Sequence, residues 1–87
     1  MMEYEITTIT AKANLGFAVN LNKLALNLDH TEYEPENFPG LIYRIIKPSA
    51  TFLIFSSGKF ICMGCKNKEE IEKAILQLQE DIKEKNL

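Results

Sequence analysis

Histidine is almost absent from this chain: of 87 residues only His30 carries an imidazole. That scarcity leaves no serine or cysteine with a histidine partner to activate it, and there is no glycine-rich phosphate loop either, so the sequence gives no support to an enzyme. His30 itself lies beside Asp29 and Glu32 and reads as a solvated loop residue. Cysteine is nearly as scarce. Cys62 and Cys65 form a Cys-Met-Gly-Cys run, but a structural zinc needs two further cysteine or histidine ligands that the chain does not supply. We read one buried strand cysteine and one loop cysteine, with no metal and no cofactor. Long apolar runs are missing, and no signal peptide precedes the first polar residues, so the expected location is cytoplasmic (nucleoid-associated) or nuclear. A basic excess is missing too. Ten Lys and Arg against twelve Asp and Glu give a net charge of −2, which argues against indiscriminate nucleic-acid binding. With 46% hydrophobic and 25% charged residues, the composition is that of one small globular domain, residues 1–87.

One further absence is local. Between Asn37 and Lys68 there is no Asp or Glu, yet this stretch holds Arg44, Lys47, Lys59 and Lys66, while Asp29, Glu32, Glu34 and Glu36 cluster just upstream. An acidic chain with a cationic surface of this kind would bind DNA in a strongly salt-dependent way. The stretch reads as three successive strands, broken at Pro48-Ser49-Ala50 and at the hairpin turn Ser56-Ser57-Gly58. Side chains alternate between the faces of a strand. Ile42, Arg44 and Ile46 therefore oppose Leu41, Tyr43 and Ile45. Thr51, Leu53 and Phe55 oppose Phe52 and Ile54, and Lys59, Ile61 and Met63 oppose Phe60 and Cys62. Both faces are apolar, whereas a half-solvated antiparallel sheet should be polar on its open side. Such a surface needs a partner.

The flanking segments supply the rest of an α+β domain. Ile6 to Asn14 alternates, is rich in threonine and reads as a strand, with Thr8, Thr10 and Lys12 on one face and Ile9, Ala11 and Ala13 on the other. Asn20 is a good N-cap for a short helix carrying Leu21, Leu24, Ala25 and Leu28. The residues from Asp29 to Asn37 read as an acidic loop. Asn67 caps a final helix whose apolar stripe is Ile71, Ala74, Ile75, Leu78 and Ile82, with Glu69 and Glu70 at its positive end. Two short helices can cover one face of an antiparallel sheet. The face bearing Arg44, Leu53, Phe55, Lys59, Ile61 and Met63 is left open, with no pair of carboxylates on it.

At this point the motifs become specific. Glu34-Pro-Glu-Asn-Phe-Pro-Gly-Leu-Ile-Tyr-Arg44, then Lys47-Pro48, Leu53-Ile54-Phe55, Ser57-Gly58-Lys59 and Gly64-x-Lys66, resemble the TATA-box-binding protein family, its second repeat above all. The resemblance runs without gaps from about Ile9 to the last helix. It implies one half of a saddle: a curved antiparallel sheet with two helices on its convex face. Two copies could pair through the first strand, around Ile6 to Asn14, as a two-fold homodimer that rebuilds the whole saddle. It implies binding to A/T-rich duplex DNA through the minor groove, with Phe38 and Phe55 as wedges between base pairs, a strategy for which this family is itself the type case. Groove contacts fall on Leu53, Ile61 and Met63, and phosphate contacts on Arg44, Ser57 and Lys59. The family's central asparagine and valine are Thr8 and Thr10 here, and a groove threonine is Met63. In the family the acidic stirrup meets transcription factor IIB. Glu34 and Glu36 match it, and Asn37 replaces a leucine.

Two functions follow. The first is a DNA-binding transcription factor of an archaeon-like or eukaryote-like system, dimerising to bend promoter DNA. The second is an interaction module whose sheet binds a protein, or another TATA-box-binding protein, instead of DNA. An appendage to a ribonuclease H or glycosylase enzyme is a weaker third, because the chain has no room for a catalytic domain.

Overall fold

Four of the five strands form where the alternation predicts them. The computed structural model describes residues 9–85, in which β1 (Ile9–Asn14), α1 (Leu21–Asn27), β2 (Thr31–Glu32), β3 (Leu41–Ile45), β4 (Ala50–Ile54), β5 (Lys59–Cys65) and α2 (Lys68–Glu84) follow in order. The strands make one antiparallel sheet ordered β1-β5-β4-β3-β2, so β1 and β2 are its edges. This is an α+β fold, with both helices contributing to a single core against one sheet face.

Each helix starts where its cap residue lies. The Asn20 side chain accepts the Lys23 amide, and the Asn67 side chain accepts the Glu70 amide at 2.9 Å. Glu70 returns the favour one residue further back than a capping box would, its Oε1 accepting the Lys66 amide. Leu21, Leu24 and Leu28 from the first helical segment, with Ile71, Ala74, Leu78 and Ile82 from α2, bury Leu41, Tyr43, Ala50, Phe52, Ile54, Phe60 and Cys62 of the sheet. Phe52 sits at the centre, stacked on Tyr43 and edge-on to Phe60. Tyr43 also donates its hydroxyl proton to Asp81 Oδ2 at 2.6 Å, and Gln77 donates to the other oxygen of the same carboxylate. Burial, followed by the bond and charge of Asp81, raises the Tyr43 pKa well above the ordinary tyrosine value.

Two readings of the sequence are corrected. The acidic loop is not all loop: His30 adopts φ 58, and the chain then runs back along β3, pairing Thr31 with Tyr43 and Glu32 with Ile42. Two residues are too short for any alternation to reveal. Nor is Cys65 a loop cysteine. Positions three apart should face opposite ways on a regular strand. However, Gly64 has φ 88, and opposite it the register slips so that Cys65 faces Ile9 while Cys62 faces Ala11. This β-bulge turns both thiols into the core, 3.8 Å apart. Burial, with Cys65 beside it, pushes the Cys62 thiol up to about 12.

Candidate nucleic-acid interface

The uncovered face can be built row by row from the pairing. Glu32 lies opposite Ile42, Ile42 opposite Leu53, Leu53 opposite Ile61 and Ile61 opposite Lys12. These five residues cross the whole sheet, one from each strand. Three aliphatic side chains, each half-buried, form its middle, with an acid at one end and a cation at the other. A second row runs from Arg44 through Thr51 to Met63, and Asn14 pairs with Lys59 in a third. The surface is broad, strand-built and apolar in the middle.

Phe38 and Phe55 stand at one end of this face. Their rings meet edge-on with centroids 5.9 Å apart, and neither belongs to the buried core. Phe38 is 39% exposed. They converge over Gly40, where a Cβ would come within 2.8 Å of Phe38 and 3.1 Å of Phe55. A side chain at position 40 would force the Phe38 ring to shift, so glycine leaves the room in which the two rings meet. The ring pair is also fixed by the backbone on either side. The Phe38 amide donates to the Glu34 carbonyl, and the Phe55 amide to the Lys59 carbonyl across the hairpin turn.

The other expected residues fall as follows. Leu53, Ile61 and Met63 are half-buried on the open face, and Lys59 is exposed there, its amide 3.4 Å from Ser57 Oγ. Thr10 is exposed on β1, while Thr8 lies outside the described residues. Glu34 and Glu36 are exposed, and Asn37 donates its side-chain amide to Glu34 Oε2 at 2.7 Å, closing the turn before Phe38. Arg44 requires a correction. The face is not purely cationic at this point, because the Arg44 guanidinium donates to Glu32 Oε1 at 3.2 Å, with both side chains more than half exposed. An exposed pair of this kind contributes little to stability and can exchange partners readily. Sequence reasoning passed over Lys12, Asn14 and Ile42 as site residues. The signal was present, since Lys12 continues the period of two that Thr8 and Thr10 begin.

By its fold the molecule is an α+β protein that presents rows of strand side chains on an open sheet face. More specifically, the chain belongs to the TATA-box-binding protein family: the family described as "Transcription factor TFIID (or TATA-binding protein, TBP)" matches it over residues 3–85. That is a family of transcription factors, not enzymes. The TATA-box-binding protein of Methanothermobacter thermautotrophicus is 48% identical over 82 residues, covering 90% of this chain and 45% of that protein. The one from Sulfurisphaera tokodaii is 50% identical over 74 residues, covering 85% of this chain and 37% of its own length. Among solved structures, Methanococcus jannaschii TBP superposes with a TM-score of 0.86 at 44% identity, covering 90% of this chain and 46% of that one. The chain thus spans about half the length or less of the curated relatives it matches. No helix among the described residues is long and apolar enough to cross a membrane.

Proposed function

We propose that this chain is a DNA-binding transcription factor whose open sheet lies in the minor groove of A/T-rich duplex DNA, bending it, with a second copy pairing through β1 to complete the binding surface. The carrying observation is the edge-to-face Phe38–Phe55 pair, seated over Gly40 at the end of a bare aliphatic face. Unstacking base pairs is unfavourable, and rigid apolar rings supply new contact surface as the bases part; this family is the type case of that strategy. The rows of Ile42, Leu53, Ile61, Thr51 and Met63 would meet the groove floor, where base edges differ little and apolar contact suffices. Lys59, Ser57 and Arg44 would hold phosphates and so fix position rather than sequence. For Arg44 this requires Glu32 to give way to a phosphate. The edge strand β1 has one side already hydrogen-bonded to β5, and its other side is the edge at which a second copy would pair. Glu34, Glu36 and Asn37, on the exposed turn, are the surface offered to a transcription factor IIB-like protein.

The test combines sedimentation with DNA bending. The protein should sediment as a dimer at micromolar concentration. It should also bend an A/T-rich duplex labelled at both ends with a fluorescent donor and acceptor, in preference to a G·C-rich one. Phe38→Ala and Phe55→Ala should each remove most of the bend while changing stability by about 1 kcal/mol or less, as expected of side chains outside the core. If either variant unfolds, the rings are structural and the wedge reading fails. Equal, negligible binding to both duplexes would replace DNA with a protein as the partner of the sheet.

A further inference from the structure

Beside Phe55, at the corner where β1 meets β5, lies a shallow hollow of about 530 Å³ lined by Lys12, Ala13, Asn14, Phe55, Lys59, Phe60 and Ile61. Its chemistry is one-sided. Lys12 and Lys59 are exposed cations, and among the described residues no carboxylate lines the hollow. Because Lys12 pairs with Ile61 and Asn14 with Lys59, the two lysines are diagonal neighbours on adjacent strands and share the open face. Asn14 uses its side-chain oxygen to accept the Gly16 amide at 2.8 Å, which leaves its NH2 as the group with hydrogen bonds still to give. Three side chains therefore offer donors, and the side-chain acceptor among them, Asn14 Oδ1, is already taken by the Gly16 amide. Two lysines this close repel each other weakly through water, and an anion between them relieves that repulsion. The corner contrasts with the opposite edge of the sheet, where Arg44 already has Glu32 as a counter-charge.

We infer that Lys12, Lys59 and Asn14 form an anion site for a DNA backbone phosphate, next to the nucleotide step that Phe55 enters. This rests on the DNA-binding reading above and adds to it a cation on β1. The site would anchor the strand on the wedge side, so that the ring enters against a backbone already held in place. Lysine suits the task, since its long stem lies along the apolar sheet while its ammonium reaches outward.

Salt dependence reads the site directly, because each phosphate neutralised adds about 0.9 to the slope of log affinity against log salt. The 87-residue chain is titrated with an A/T-rich duplex at several salt concentrations, as wild type and as Lys12→Gln, Lys12→Arg and Lys73→Gln, the last on the exposed side of α2. The expected result is a Lys12→Gln slope shallower by about 0.9 for each copy of the chain in the complex, with affinity about 3- to 10-fold weaker per copy at moderate salt. Lys12→Arg should keep the wild-type slope, and Lys73→Gln should leave both quantities unchanged. Sedimentation of Lys12→Gln separates lost dimerisation from a lost contact. A wild-type slope in Lys12→Gln overturns this inference alone, and so does an equal loss in Lys73→Gln, which would mean only that total charge matters. Absence of duplex binding by the wild type would instead overturn the function proposed above and this site with it.

Discussion

Tyr43 joins the sheet to the end of α2 through a short bond to Asp81, and the same residue makes the fold sensitive to alkali. Burial and the carboxylate hold its hydroxyl protonated in the folded protein, whereas an unfolded tyrosine loses its proton near pH 10.0. Cys62 behaves in the same way from its own ordinary value of 9.0. Both pKa values are raised by folding, so the unfolded chain releases protons first. Stability should be fully present below about pH 9 and should fall as pH rises beyond it. Urea unfolding followed from neutral pH to about pH 11 should show that decline. Tyr43→Phe should cost about 1 kcal/mol at neutral pH and flatten the part of the decline above pH 10. An unchanged alkaline slope in that variant would mean that the hydroxyl is not the titrating group. Gly40 acts at the same scale in a different way, since its missing Cβ is what lets Phe38 and Phe55 touch.

Among the elements, α2 illustrates how local signals and tertiary packing cooperate. Its cap, its acidic first turn and its apolar stripe all agree, and every buried residue on it was anticipated from helical spacing. Asn67→Ala should therefore destabilise the protein by about 1 kcal/mol, seen as a lower urea midpoint and faster amide exchange at Glu70. DNA affinity should not move, because the cap lies on the helical layer. β5 is the contrasting case. Its first five residues alternate as written, but the bulge at Gly64 reverses the phase before Cys65. A period of two carries no marker for one inserted residue, and glycine is ambiguous between a bulge and a turn. The cysteine pair was therefore visible as a motif while its true placement, both thiols in the core, was not.

At the scale of the whole fold, the described residues form a sheet whose two helices pack on one side. Its helices are the right number and length to bury Phe52 and its neighbours on one face of the sheet. If a second copy completes the surface, joining two copies in one chain should replace a concentration-dependent association by an intramolecular one. With a flexible linker the effective concentration is on the order of millimolar. A tandem protein should then bind an A/T-rich duplex at concentrations where the single chain is dissociated, and its half-saturation point should stop depending on dimerisation. Equal affinity of the tandem and single forms would show that one copy suffices and that β1 has no pairing role.

The sequence by itself determined both helices, four of the five strands, the faces of the regularly alternating strand residues and the family, because alternation, helical spacing and capping are local properties and the motifs run through most of the chain. It also showed that the described helices could not cover both faces. Only the tertiary structure decided the relations between distant residues: Glu32 on the open face holding Arg44, Lys12 at the far end of the same row, two phenylalanines meeting over Gly40, and Cys65 turned inward. Each of these depends on register across strands separated in the chain, and register is set by the packing of the whole sheet on its core, which no single stretch of sequence contains.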